Sequence, residues 1–211
     1  ELSRGKGIVV AVIDTGVEAE HPDLVGKTLP PIVVLSRDPA LRNDQNRTDT
    51  NGHGTAMASL IGAHAHDGLL GIAPDAMILP VIVADRHGLA QVADVAEGIV
   101  RSVAAGARVI CLAMGMRHDS QALRAAIAHA EKSGVLTVAS AGNDNVDSPL
   151  FPACLPEVLC VSGLSADGAL ADEAVVAPSV SVFEVAENVL VSLPFGMRGS
   201  VSGTSVGTAR A

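Results

Sequence analysis

The chain has 211 residues, 48% apolar and 18% charged, with a formal net charge of −9. That length suits one domain with a sizeable core, and the apolar share excludes a disordered chain. The negative charge and the lack of Trp and Tyr exclude a basic, base-stacking surface for nucleic acid.

Ile8-Val9-Val10-Ala11-Val12-Ile13 is a continuous, largely β-branched run, which predicts a central parallel strand covered on both faces. Asp14 follows at its carboxyl end, where open α/β sheets carry functional groups. An Asp after a strand also occurs in nucleotide-binding folds. Asp14-Thr15-Gly16 is shared with aspartic peptidases too, but those need two such carboxylates, so that chemistry would require a homodimer. His21-Pro22-Asp23-Leu24 reads as a turn, Ile32 to Leu35 as a short apolar run, and 36–51 as a polar loop.

Asn51-Gly52-His53-Gly54-Thr55-Ala56-Met57-Ala58-Ser59 sets a histidine between two glycines, whose backbone freedom suits a strand-to-helix turn. The small apolar residues from Thr55 to Ala63 predict a buried helix behind it. An imidazole at such a turn can move protons at neutral pH if one residue orients it and another gives up a proton. His64, His66 and Asp67 follow as a His-x-His-Asp group; between two elements it reads as a solvated loop, and no metal is assigned to it.

Gly71 to Ala76 is rich in breakers and precedes a predicted strand over Met77 to Val83. Gln91 to Ala105 carries Val92, Val95, Ala96, Ile99 and Val103 at helical spacing, and Gly106 stops it. Ser120 to Ser133 repeats the pattern with Leu123, Ala126, Ile127 and Ala130. Val109 to Leu112 and Leu136 to Ser140 are predicted strands. This alternation implies right-handed crossovers onto a parallel sheet, an α/β fold with helices on both faces. No linker or repeat divides residues 1–211, and no run of 18 apolar residues could span a bilayer. Of the three cysteines, Cys111 and Cys160 sit in apolar runs as small buried hydrophobes, and Cys154 is within sequence reach of Cys160.

Four motifs in order, Val12-Ile13-Asp14-Thr15-Gly16-Val17, Gly52-His53-Gly54-Thr55, Ala141-Gly142-Asn143-Asp144 and Gly203-Thr204-Ser205, resemble those of the subtilase (subtilisin-like) serine peptidases. The resemblance runs from Gly7 to Ser205. It implies Ser205 as nucleophile, His53 as general base and Asp14 as the group that orients the imidazole, with Asn143 and the Ser205 N–H as oxyanion donors. It also implies a peptide substrate lying extended between Arg86-His87-Gly88 on one side and Ala113-Met114-Gly115 on the other. Ser140-Ala141-Gly142 would wall the primary pocket, and Leu150 stands at its floor, where the family often has Gly. A protein or peptide partner follows, with a propeptide or a C-terminal segment as further partners and no cofactor; secretion is the family's usual setting, and a cytoplasmic maturation role is compatible.

The chain also departs from that pattern. Ser205 is followed by Val206-Gly207-Thr208-Ala209 where the family has Met-Ala-x-Pro, and His53-Gly54-Thr55 continues as Ala56-Met57-Ala58-Ser59 instead of His-Val-Ala-Gly. The Ala-Pro-Gly turn expected near 185–187 reads Val185-Ala186-Glu187. Only Val206 to Ala211 follow the serine, where the family's helix is long. Two functions are therefore expected to compete: an active serine endopeptidase, and a subtilase-derived piece that holds peptide without cutting it.

Overall fold

The computed structural model describes residues 3–35, 49–65, 68–144 and 147–211. Most of the expected polar loop, and both His66 and Asp67, lie outside these residues. Seven predicted elements are present with small shifts at their ends. Strand β1 spans Val9–Asp14, β2 Ile32–Val33, helix α1 His53–Gly62, β3 Met77–Ile82, α2 Val92–Ala104, β4 Val109–Leu112, α3 Gln121–Lys132 and β5 Leu136–Ser140. They are followed by β6 Val158–Leu164, β7 Val182–Val185, β8 Val189–Leu193, β9 Met197–Val201 and α4 Thr204–Arg210.

Seven strands form one parallel sheet in the order β2-β3-β1-β4-β5-β6-β7. β1 is an interior strand, third from the β2 edge, with Val10 in register with Ile78 on one side and Val109 on the other. The chain winds to one side of β1 through β2 and β3 and then to the other from β4 on. Where winding reverses, the crossovers leave on opposite faces and a crevice opens at the carboxyl ends of the strands. Asp14 closes β1 at that edge.

Alternate side chains of β1 feed two cores, as a two-residue period requires. Ala11 and Ile13 pack with Ile99 of α2 and Leu123 and Ile127 of α3, all buried. Val10 and Val12 pack on the opposite face with Met57 and Ala58 of α1 and Val206 of α4. The expected three layers result. Ser120 caps α3, its hydroxyl accepting from the Leu123 N–H at 3.4 Å.

Helix α1 begins at His53, two residues earlier than the sequence suggests. Gly52, at φ 98°, makes the left-handed turn by itself, which leaves the histidine as the first helical residue. Cys111, Cys154 and Cys160 are all free thiols. A Cys154–Cys160 bridge is not made, since Cys160 points into the core while Cys154 is exposed.

The sequence reading contains no counterpart of the antiparallel hairpin β8–β9. A buried carboxylate anchors it: Asp23 accepts from Ser192 Oγ at 2.8 Å, Arg198 Nη2 at 2.6 Å and Arg198 Nε at 3.0 Å. The Ser192 N–H donates to Ser59 Oγ of α1 at 3.0 Å. His21 Nδ1 accepts from the Asp23 N–H at 3.1 Å, so its Nε2 carries the proton toward the Met197 carbonyl, also at 3.1 Å. His64 is engaged here as well, its Nδ1 2.7 Å from the Asp23 carbonyl oxygen.

Asp23 is fully buried, so removing it strands a guanidinium only 25% exposed short of its carboxylate. Asp23→Ala should cost about 3–5 kcal/mol in urea unfolding, near the lower end because Arg198 can rehydrate. Burial pushes the Asp23 carboxyl up, but the Arg198 and Ser192 hydrogen bonds and the charge of Arg198 outweigh it and hold it below its ordinary value. The stability it contributes is present above the unfolded pKa of ~3.9 and is lost as pH falls through the lower folded one. The urea midpoint of the parent should fall more steeply below about pH 4 than that of Asp23→Asn; parallel profiles would rule this out.

Candidate active site

Asp14 is the last residue of β1 and His53 the first of α1, so strand exit and helix entry face one another. The His53 Nδ1 lies 2.8 Å from both Asp14 Oδ1 and Oδ2. A carboxylate only accepts, so Nδ1 carries the proton and Nε2 is left as the basic nitrogen. Asp14 Oδ1 also accepts from the Thr15 N–H at 2.7 Å, which fixes the carboxylate's rotation.

The two elements meet at backbone distance. A Cβ on Gly54 would stand 2.0 Å from the Gly16 carbonyl oxygen, so only glycine fits behind the histidine. Side chains satisfy the N–H groups that open α1. Asn51 Oδ1 takes His53 N–H at 3.2 Å, Thr15 Oγ1 takes Gly54 N–H at 3.1 Å, and Asp49 Oδ2 takes Thr55 N–H at 2.9 Å. Asp49, 1% exposed, also accepts from the N–H groups of Asn51 and Gly52 and the hydroxyls of Thr15 and Thr55. Sequence reasoning passes over Asp49; its one signal is an acidic residue just before a Gly-flanked helix start.

The His53 side chain is 38% exposed. What burial it has pushes its pKa down, but the charge and hydrogen bond of Asp14 and the charge of Asp49 outweigh this and leave it above the ordinary imidazole value.

Ser205 lies in the first turn of α4, which packs beside α1 on the same face. Its hydroxyl donates to the Ala113 carbonyl at 3.0 Å, and among the described residues no hydrogen bond joins it to His53. Asn143 is held from the same helix: its Oδ1 accepts from the Thr204 N–H and the Thr204 hydroxyl, both at 2.8 Å. With that oxygen committed, the Asn143 amide nitrogen faces Gly203, where a Cβ would come within 3.1 Å of it, and it has no acceptor among the described residues. The role of Thr204 as the clamp on Asn143 is a second feature the sequence does not advertise.

Ala113-Met114-Gly115 continues past β4, and Ser140 ends β5 before Ala141 and Gly142. These two stretches run beside Ser205 and Asn143. The N–H groups of Met114 and Gly115 have no main-chain partner among the described residues. Leu150 is tied between them, its N–H on the Ala141 carbonyl at 2.8 Å. Arg86-His87-Gly88 forms a separate exposed turn, tied to the segment before His53 by Asn51 Nδ2 donating to the Arg86 carbonyl at 3.1 Å.

The sequence profile of the subtilase family matches residues 5–211. The chain is 31% identical to thermitase from Thermoactinomyces vulgaris over 99% of its own length and 73% of the relative's. It is 30% identical to an intracellular serine protease of Paenibacillus polymyxa, over 98% of this chain and 64% of that one. It is 31% identical to the major intracellular serine protease of Bacillus subtilis strain 168, over 96% and 65%. It thus spans less than two thirds of the last two.

Gly54→Ala tests the close approach. The added methyl must push α1 off the Gly16 carbonyl, an overpacking that costs about 1–3 kcal/mol. It should also lower the His53 titration midpoint by NMR as the ion pair lengthens. A variant with the parent's urea midpoint and the parent's histidine titration would contradict the geometry.

Proposed function

The chain belongs to the subtilase family of serine peptidases, and on that premise we propose that it hydrolyses peptide bonds through Asp14, His53, Ser205 and Asn143. The observation that carries this reading is the Asp14–His53 pair at 2.8 Å, which leaves Nε2 unprotonated toward the crevice. Serine hydroxyl is a poor nucleophile without such a base. In the proposed reaction the Ser205 Oγ attacks the peptide carbonyl carbon while its proton passes to His53 Nε2. Asp14 keeps the tautomer and stabilises the imidazolium. The developing oxyanion is met by the Asn143 amide and the Ser205 N–H. Thr204 favours this, since it occupies the Asn143 side-chain oxygen and leaves the NH2 without an acceptor among the described residues. The imidazolium then protonates the leaving amine, and water, activated by His53, releases the acyl group.

The N–H groups of Met114 and Gly115, without a main-chain partner among the described residues, suit pairing with an extended peptide, which gives affinity with little demand on sequence. Ser205 must first leave the Ala113 carbonyl. Giving up one neutral hydrogen bond costs about 0.5–1.5 kcal/mol, small against an uncatalysed hydrolytic barrier.

That same contact favours a second reading, a peptide-holding module whose serine is not activated. A fluorophosphonate probe separates the two, because only an activated Ser205 is labelled. Under the peptidase reading the parent is labelled and hydrolyses casein, and Ser205→Ala does neither while still binding peptide. An unlabelled parent would leave the binding module standing.

The pH profile gives an independent check. The base must be neutral, so kcat/KM should rise with pH through a midpoint above the ordinary imidazole value of ~6.5, in the direction that Asp14 and Asp49 impose. Asp14→Asn removes the main raising charge and should move the midpoint down as turnover collapses. A midpoint unchanged in Asp14→Asn would mean that another group titrates.

A further inference from the structure

We propose that Asp49 is a positioning residue for hydrolysis: one buried carboxylate that holds strand exit and helix entry, and with them Asp14 and His53, in working alignment. The role deepens the peptidase reading above and rests on it.

Asp49 stands outside both elements, four residues before the start of α1. It is 1% exposed, and five donors converge on it. Oδ1 takes the Thr15 hydroxyl at 2.9 Å and the N–H groups of Asn51 and Gly52 at 3.1 and 2.9 Å. Oδ2 takes both the N–H and the hydroxyl of Thr55, at 2.9 and 2.8 Å. One oxygen is thus shared between the residue after Asp14 and the two before His53, and the other holds α1 itself. Gly16 packs directly against this group, since a Cβ there would lie 3.5 Å from Asp49 Cβ.

Thr15 carries the hold to Asp14. Its hydroxyl donates to Asp49, so it meets the Gly54 N–H at 3.1 Å as an acceptor, while its own N–H donates to Asp14 Oδ1 at 2.7 Å. One residue therefore touches Asp49, Asp14 and α1 at once. Thr55 makes a similar join on the helix side, giving its hydroxyl proton to Asp49 and accepting from the Glu18 N–H at 3.0 Å. The rotation of Asp14 and the entry of His53 share one anchor.

A helix start needs acceptors, not a charge. Gly52 at the N-cap offers no side chain, but a neutral acceptor would satisfy these N–H groups at less cost than a buried carboxylate. The charge adds something a neutral cap would not. His53 faces Asp14 from β1 and Asp49 from the approach to α1. The Cys111 thiol of β4, which also feels the Asp14 charge, is pushed up by burial and by that charge and stays neutral. Both carboxylates therefore favour the imidazolium that forms when Ser205 gives up its proton.

The test starts with Asp49→Asn. The amide keeps the shape but has one acceptor, so its NH2 must face either the Thr55 N–H or those of Asn51 and Gly52. One half of the hold then opens. The kcat should fall about 10- to 100-fold, the scale of a small misplacement, with KM within about twofold of the parent. The midpoint of kcat/KM against pH should move down, by less than in Asp14→Asn. Thr15→Val lacks the hydroxyl and should reproduce the loss even if Asp49→Asn fails to fold; Thr15→Ser, which keeps it, should lose far less. Thr15→Val/Asp49→Asn should lose much less than the product of the two single losses, because both cut one link. Parent values of kcat and pH midpoint in Asp49→Asn, a loss confined to KM, or losses that multiply in the double variant each overturn the role. If the parent cleaves no peptide, the peptidase reading fails, and NMR of His53 decides the alignment by itself. The downfield Nδ1–H resonance of the Asp14 pair should weaken in Asp49→Asn and the titration midpoint should drop. A resonance and a titration unmoved by the substitution would remove Asp49 from the site.

Discussion

The site depends on one backbone-to-backbone approach, the first turn of α1 lying against the carbonyl that follows β1. Gly54 leaves no room for a side chain opposite Gly16, and this brings the histidine one residue earlier within hydrogen-bond reach of the carboxylate that ends the strand. The approach would be unfavourable if it stranded the N–H groups opening the helix. Asn51, Thr15 and Asp49 supply acceptors for them from both sides of the contact. Asp49 thus works twice: it ties strand exit to helix entry, and its charge adds to the field that favours a protonated imidazole.

Two buried carboxylates do opposite work. Asp14 faces a histidine at the rim, whose proton can come and go, so the pair is suited to chemistry. Asp23 faces a guanidinium that never deprotonates, so its pair is permanent and serves to hold β8–β9 against α1. The hairpin in turn sets Pro194 beside Gly52, where a Cβ would stand 3.0 Å from its Cδ. The glycine before the histidine is hemmed in from that side, and the turn that presents His53 is braced by a clamp remote in sequence.

Much of the framework could be read from the chain because it rests on local periodicity. The apolar run ending at Asp14 and the 3.6-residue stripes around Ile99 and Ile127 announce their elements, and a parallel sheet follows from their alternation. What escaped reading depends on through-space partners. Asp49 acts on backbone N–H groups, which have no letter in the sequence. The hairpin's alternation is blurred by Ser192, Gly199 and Ser200, and its anchor lies about 170 residues away at Asp23. The start of α1 hinges on the φ of Gly52. That Leu150 lies against Gly115 and Gly142, and that the Ser205 hydroxyl rests on Ala113, are matters of side-chain direction that spacing alone does not decide.

The interior place of β1 has a further consequence, for how the protein comes into being. The strand is made before either of its partners, one of which begins at Met77 and the other at Val109. A ribosome adding about 5–20 residues per second leaves Val10 waiting roughly 5–20 s for Val109. Through that interval a β-branched strand is exposed on both edges, and every later closure spans a long loop. Such remote pairing makes for slow folding and a long window for wrong association. The same strand that gives the finished molecule its most protected core is, during synthesis, its most vulnerable segment.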